Sequence, residues 1–174
     1  MLYTGKGDGG TTKVIDSRER ISKDSPLPEA LGALDELNAL LGFVKVNAPA
    51  PLAAELHAVQ ENLFIVQAQT AGADKQLPED ALTRVEARLA AIEQNLPPIT
   101  AFSISGGTER SALLDVARTF ARRAERRVVA VARAGARAYP AASLAYLNRL
   151  SSLLFALSRQ QNAEAGVDEA HPRY

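Results

Sequence analysis

The sequence predicts an all-α protein: an antiparallel five-helix bundle preceded by a glycine-rich N-terminal loop. Three observations lead there. Alanine and leucine are abundant while aromatic residues make up only 5% of the chain. Apolar residues recur at three- and four-residue spacing through long stretches that lack helix breakers. The breaks that do occur are short, as between neighbouring antiparallel helices. At 174 residues the chain is read as a single domain, residues 1–25 forming an N-terminal segment and 26–165 the helical bundle. There is no internal repeat.

The N-terminal segment holds Thr4-Gly5-Lys6-Gly7-Asp8-Gly9-Gly10-Thr11-Thr12-Lys13, followed by a short strand or turn at Val14-Ile15. Gly5, Gly7 and Gly10 match G-x-G-x-x-G in form. A dinucleotide fingerprint must follow a strand and open a helix, and neither is present; the Walker pattern also fails. What remains is physical. Glycines let backbone N–H groups approach a phosphate chain, Thr11 and Thr12 offer hydroxyls, and Lys6 and Lys13 add charge. The alternative reading is a floppy tail.

The first helix is expected from Pro26 or Pro28 to Val46, with Asp24 and Ser25 as caps, Glu29 at its positive end, and Leu34, Leu37, Leu41 and Val44 as its apolar stripe. Asp35 and Asn38 lie beside that stripe. A second helix covers Leu52 to Ala71, where the uncharged Gln60, Asn62, Gln67 and Gln69 suit partly buried contacts. A third runs from Pro78 to Asn95 with Leu82, Val85, Leu89 and Ile92 inward. Residues 96–107 are the one extended connection; Ile99, Phe102 and Ile104 alternate with polar residues and are expected to hold it against the bundle. Gly106-Gly107 before a helix start would bring backbone donors near an anion. The fourth helix spans Thr108 to Ala136 and the fifth Pro140 to Ala163. In the fifth, Asn148, Ser151, Ser152 and Phe155 share a face beside the leucine stripe. The tail after Gly166 reads as frayed.

Lysine plus arginine equals aspartate plus glutamate, 20 against 20, so bulk charge gives no support to non-specific binding of nucleic acid or membrane. Cysteine is absent, which excludes disulfides and thiolate metal sites and fits a reducing, cytoplasmic setting. His57 and His171 are not at ligand spacing, no metal ligands are assigned, and no stretch reaches the ~18 apolar residues of a membrane span. The start of the chain lacks the apolar region of a secretory signal. Against this neutral background seven arginines fall between Arg118 and Arg137. On a helical wheel Arg118, Arg122, Glu125 and Arg126 form one stripe, beside an apolar face of Leu113, Ala117, Phe120, Ala121, Ala124, Val128, Val131 and Ala132. Such a stripe alone reads as solvated surface, but an arginine excess with little local acid suits an anionic partner.

Four segments, Tyr3–Thr12 with Ser22–Pro26, Glu29–Asn38, Ala117–Val129 and Tyr146–Phe155, together resemble the trimeric five-helix-bundle type of ATP:cob(I)alamin (corrinoid) adenosyltransferase, in order and spacing across nearly the whole chain. The resemblance implies that residues 1–25 bind nucleotide: Thr4, Gly5, Lys6, Gly7, Gly10 and Thr12 wrap ATP, with Thr11 and Lys13 beside them, and Lys23 reaches the phosphates. Arg122, Glu125 and Arg126 match its nucleotide-binding helix, with Arg123 among them, and Asn148 matches an asparagine on the last helix. Asp35 matches an acid that pairs with Arg118 across a subunit interface near the corrin. Phe102 matches a phenylalanine that packs on the lower corrin face and keeps dimethylbenzimidazole off cobalt. Arg118, Arg122, Asp35 and Phe102 are thereby the expected catalytic residues. The resemblance also implies a homotrimer with sites between subunits, magnesium with ATP, cobalamin as substrate, and functional partners in a cob(II)alamin reductase and an adenosylcobalamin-dependent enzyme. The chain departs from the family at Ala121, where cysteine is common, at Asp115 in place of a histidine, at Leu31 in place of an aromatic, and at Ser103-Ile104-Ser105.

The implied chemistry agrees with the residues. Co(I) attacks the 5′ carbon of ATP and expels triphosphate, whose growing charge suits arginines and backbone donors, and no general base is required. A non-catalytic corrinoid-binding or delivery protein of the same fold is the alternative, and the intact triphosphate loop argues against it.

Overall fold

The computed structural model describes residues 2–15 and 19–174. Five helices follow a small hairpin: α1 (Pro26–Val46), α2 (Ala50–Ala71), α3 (Ala81–Glu93), α4 (Glu109–Arg133) and α5 (Ala141–Glu164). The hairpin pairs β1 (Thr11–Lys13) with β2 (Arg20–Ser22) antiparallel, Thr12 opposite Ile21. The glycine-rich segment is therefore folded: Gly5 and Gly10 take positive φ, and Gly10 accepts the Lys23 N–H at 2.9 Å.

α1 packs on α2 and α4, α4 on α5, and α5 on α3. Pairings across these contacts give the directions. Asn38 meets Gln60 while Lys45 reaches His57 and Gln60, so α1 and α2 run oppositely. Ser111 meets Ser158 and Glu125 meets Asn148, so α4 and α5 do too. α3 and α5 run in the same sense, with Glu86 on Arg149 and Arg88 on Gln160. Consecutive helices thus alternate in direction.

The expected leucine stripes close the core: Leu34, Leu37, Leu41, Leu56, Leu63, Leu147, Leu150, Leu154 and Leu157 are fully buried, and on α4 Leu114 is buried where Leu113 was expected. Midway along α4 the inward residues are small, Ala117, Ala121 and Ala124, which lets its backbone approach α1 and α5 closely there. The uncharged polar residues of α2 are used as the sequence suggested: Asn62 Nδ2 donates to the buried Tyr146 hydroxyl at 3.1 Å, and Gln69 donates to the Lys75 carbonyl at 2.8 Å.

Several expectations change. α3 begins at Ala81 rather than Pro78, because Pro78 belongs to the turn whose carbonyl accepts the Ala81 N–H. Ile99, Phe102 and Ile104 do not hold the 96–107 connection against the bundle; all three are exposed, Phe102 by 80%. Polar contacts hold it instead. The tail after Gly166 is not frayed: the Ala170 carbonyl accepts the Ile104 N–H at 2.7 Å, and His171 Nδ1 donates to the Phe102 carbonyl at 2.9 Å. Among the described residues no helix is long and apolar enough to cross a membrane.

Candidate active site

α4 starts at a fixed place and rotation. Thr108 caps it, its hydroxyl accepting the Ser111 N–H at 3.1 Å. Asn162 on α5 receives the Thr108 N–H at 3.0 Å and donates to the Gly106 carbonyl at 2.9 Å. Gly107 is required there: its φ is 109°, and a Cβ would stand 2.4 Å from Asn162 Oδ1. From this anchor the four-residue spacing of Arg118, Arg122 and Arg126 turns one arginine stripe toward α5.

Two hollows lie along that stripe and share Arg122. The first, about 590 Å³, is lined by Arg122, Glu125, Arg126, Val129, Arg133 and Asn148. Asn148 Nδ2 donates to Glu125 Oε1 at 2.9 Å and its Oδ1 accepts from Arg149 Nη1 at 2.9 Å. Arg122, Arg126 and Arg133 make no hydrogen bond or ion pair among the described residues. The second hollow, about 380 Å³, is walled by Phe102, Arg118, Arg122, Ser151, Ser152 and Phe155. It is apolar on the Phe102 and Phe155 sides and cationic on the α4 side.

Arg118 is held by a neighbour on its own helix: its Nε donates to Asp115 Oδ1 at 3.2 Å, and its guanidinium stands 5.8 Å from the Phe155 ring centre. Asp35, expected to pair with Arg118 across subunits, is exposed on α1 and has no partner within the described residues of this chain. Arg123 faces elsewhere. It pairs with Glu36 of α1 and lies 4.4 Å from the Phe120 ring centre, and it does not line either hollow. Arg127 likewise pairs with Glu29, at 3.4 Å.

The N-terminal hairpin gathers a separate cationic surface. Lys23 Nζ donates to the Gly7 carbonyl at 3.0 Å, and a Cβ on Gly7 would stand 3.1 Å from that nitrogen. Thr11 is held by Arg20, which donates to its hydroxyl at 2.8 Å and its carbonyl at 2.6 Å. Thr4 accepts the Lys6 N–H through its hydroxyl, at the long distance of 3.4 Å. Thr12, Lys13 and Lys23 line a hollow of about 280 Å³ with Val14, Ile15, Pro28, Leu31 and Ala71. It shares no residue with the two hollows beside α4.

Sequence reasoning grouped Arg122, Glu125, Arg126 and Asn148 correctly as neighbours. Arg133, which the sequence left as solvated surface, lines the same hollow seven positions beyond Arg126, and Asp115, read only as a replacement for a histidine, is the partner of Arg118 three positions on. Sequence reasoning overlooked Glu169 and His171 at the Phe102 loop. Among the described residues no group of three or more acidic, histidine or cysteine side chains could hold a metal ion.

The family profile described as cobalamin adenosyltransferase matches residues 2–161. The chain is 36% identical over 177 residues to the corrinoid adenosyltransferase of Bacillus subtilis, covering 97% of this chain and 90% of that protein. It is 34% identical over 172 residues to the corrinoid adenosyltransferase PduO of Citrobacter freundii, covering 94% of this chain and half of that longer protein. Among solved structures it is similar to a phenylalanine-to-histidine variant of the PduO-type ATP:corrinoid adenosyltransferase of Lactobacillus reuteri complexed with cobalamin and ATP, with a TM-score of 0.91, 30% identity and coverage of 99% of this chain and 97% of that one. An arginine-to-lysine variant of the same protein, complexed with ATP, superimposes with a TM-score of 0.90. The two altered positions stand twenty apart in that protein, as Phe102 and Arg122 do in this chain.

Proposed function

Because the chain belongs to the cobalamin adenosyltransferase family, we propose that the two hollows sharing Arg122 receive the two substrates of that family's reaction, ATP beside α4 and α5 and a corrinoid beneath the Phe102 loop. The chain transfers the 5′-deoxyadenosyl group of ATP to Co(I) of a reduced corrinoid, giving adenosylcobalamin and triphosphate.

The observation that carries the assignment is the set Arg122, Arg126 and Arg133, unpaired among the described residues in a chain of zero net charge and lining one groove with Glu125. Guanidinium groups left without a carboxylate match the planar, bidentate geometry of phosphate oxygens. As the 5′ carbon–oxygen bond breaks, negative charge gathers on the departing triphosphate, and fixed arginines stabilise it more in the transition state than in bound ATP. Arg122, present in the wall of both hollows, stands where the bond to cobalt forms and the bond to triphosphate breaks. The twenty-residue separation of Phe102 and Arg122 supports the placing of both.

Phe102 and Phe155 give the corrin side an apolar wall. Such a wall disfavours water and a nitrogen base at the lower face of cobalt, so that Co(I), whose reactive electron pair needs no axial ligand, is reached more easily. Arg118, fixed by Asp115, borders the same hollow and would meet Asp35 of a second copy.

Thr4, Gly5, Lys6, Gly7, Gly10, Thr11, Thr12, Lys13 and Lys23 form the remaining phosphate-suited surface, and in one copy it shares no wall with the α4 groove. That separation supports a site completed between copies, and a homotrimer is the arrangement we assign. Magnesium fits as an ion carried by the nucleotide phosphates. Among the described residues Glu125 is the one carboxylate lining the groove, and magnesium commonly takes only one or two from a protein. It would supply charge neutralisation to the leaving group.

The test is direct. Cobalamin reduced to Co(I) and incubated with ATP and the protein should give adenosylcobalamin, seen by absorbance, with one triphosphate per product. ATP binding without product would overturn the assignment in favour of a carrier.

A further inference from the structure

We infer that the C-terminal segment from Val167 to His171 is a positioning strap for the Phe102 loop, with Glu169 and His171 as its positioning residues. The inference rests on the reading of Phe102 as a corrin contact.

The loop has little else to hold it. Ile99, Phe102 and Ile104 are exposed, so apolar burial does not fix its path. The strap leaves α5 with its own N–H bonded back, Val167 to the Asn162 carbonyl at 2.9 Å. Its next contacts all meet the loop or the loop's anchor. The Glu169 carboxylate pairs with Arg159 Nε, and Arg159 is nine-tenths buried at its side chain. The same guanidinium donates through Nη2 to the Pro97 carbonyl at 2.9 Å, so one α5 residue ties strap and loop together. The Ala170 carbonyl then accepts the Ile104 N–H, and His171 Nδ1 donates to the Phe102 carbonyl. Backbone groups on residues 102 and 104 are thereby both held by the strap. Phe102 itself lines the hollow with Arg118, Arg122 and Phe155.

A ring that must exclude a ligand from cobalt works only if its height and tilt are fixed, and a misplacement of about 1 Å costs up to about a hundredfold in rate. The strap supplies that constraint through two side chains that line neither hollow.

The test compares Glu169→Ala/His171→Ala with Glu169→Gln/His171→Asn, which keeps an acceptor for Arg159 and a donor for the Phe102 carbonyl, and with Phe102→Ala. Two readouts are needed. Hydrogen exchange should show residues 97–107 exchanging at least tenfold faster in the alanine pair and near wild type in the conservative pair. Electron paramagnetic resonance of bound cob(II)alamin should show more of the axial-nitrogen splitting in the alanine pair, with turnover lowered about tenfold and KM for ATP within twofold of wild type. Unchanged exchange in the alanine pair overturns the strap. So does unchanged resonance in the alanine pair where Phe102→Ala alters it. A spectrum unaltered by Phe102→Ala itself removes the corrin reading of Phe102, and faster exchange in the alanine pair then still supports the strap as the element that holds the loop.

Discussion

Arg122 concentrates the chemistry at the scale of one residue. It faces both hollows and has no partner among the described residues, so its charge is uncommitted until a ligand arrives. Arg122→Ala should lower turnover by about 10²–10³ with thermal stability unchanged, because an exposed, unpaired side chain contributes little to the fold. Arg122→Lys should fall between the two, keeping the charge but losing the planar fork. Steady-state rates beside melting curves check both, and a wild-type rate for the alanine variant removes Arg122 from the site. The sequence leaves Arg123 between the nucleotide and a subunit contact, and the structure separates it from Arg122. Adjacent residues on a helix point about 100° apart, enough to send Arg123 to Glu36 and Phe120 on the α1 side. Its placing on ATP depended on the resemblance alone, and a single chain does not bring it to the groove.

Buried polar pairs fix the register of the helices. Tyr146 on α5 is fully buried and its hydroxyl meets Asn62 of α2. Burial pushes the phenol from its ordinary 10.0 up to about 12, with the Asn62 hydrogen bond and the Arg84 charge opposing. The folded value lies above the unfolded one, so Tyr146 contributes fully below pH 10 and loses that contribution as pH rises from about 10 toward 12. Tyr146→Phe should cost about 1–3 kcal/mol at neutral pH, since Asn62 is left without its acceptor. It should also lose less stability than wild type between pH 8 and pH 11. Denaturant unfolding at the two pH values measures both; equal losses in the two proteins would show that this phenol does not titrate on unfolding.

The same scale shows what the sequence could carry. Helix periodicity needs only local spacing, and α1 was legible to its last residue, Val46, with its start, left between Pro26 and Pro28, falling at Pro26. The three-residue strands of the hairpin are too short to show alternation, and the contacts beside them, Arg20 on Thr11 and Lys23 on Gly7, leave no periodic mark. The Phe102 loop looked apolar enough to pack on the bundle. Its contacts are with backbone groups and with the tail, which leave no mark in residue pattern.

For the whole molecule, one copy displays two phosphate-suited surfaces that do not meet. If copies complete each other's sites, Lys23→Ala and Arg122→Ala proteins, each nearly inactive, should regain activity when their subunits are mixed by mild dissociation and reassembly. In a mixed assembly some interfaces pair an intact hairpin with an intact α4. Mixtures as inactive as their components would place each site within one chain. The exposed Phe43 and Phe64, 60% and 64% accessible, provide apolar surface on α1 and α2 for such contact.

Arg122 also has a consequence for energetics. A side chain common to two cavities cannot be ordered by one occupant without altering what the other finds. The substrates are then thermodynamically linked, and whatever factor ATP applies to corrinoid affinity, corrinoid must apply to ATP affinity. Titrations with each partner absent and present should return one common factor different from one. In Arg122→Ala that factor should collapse to one, leaving two sites that no longer sense each other.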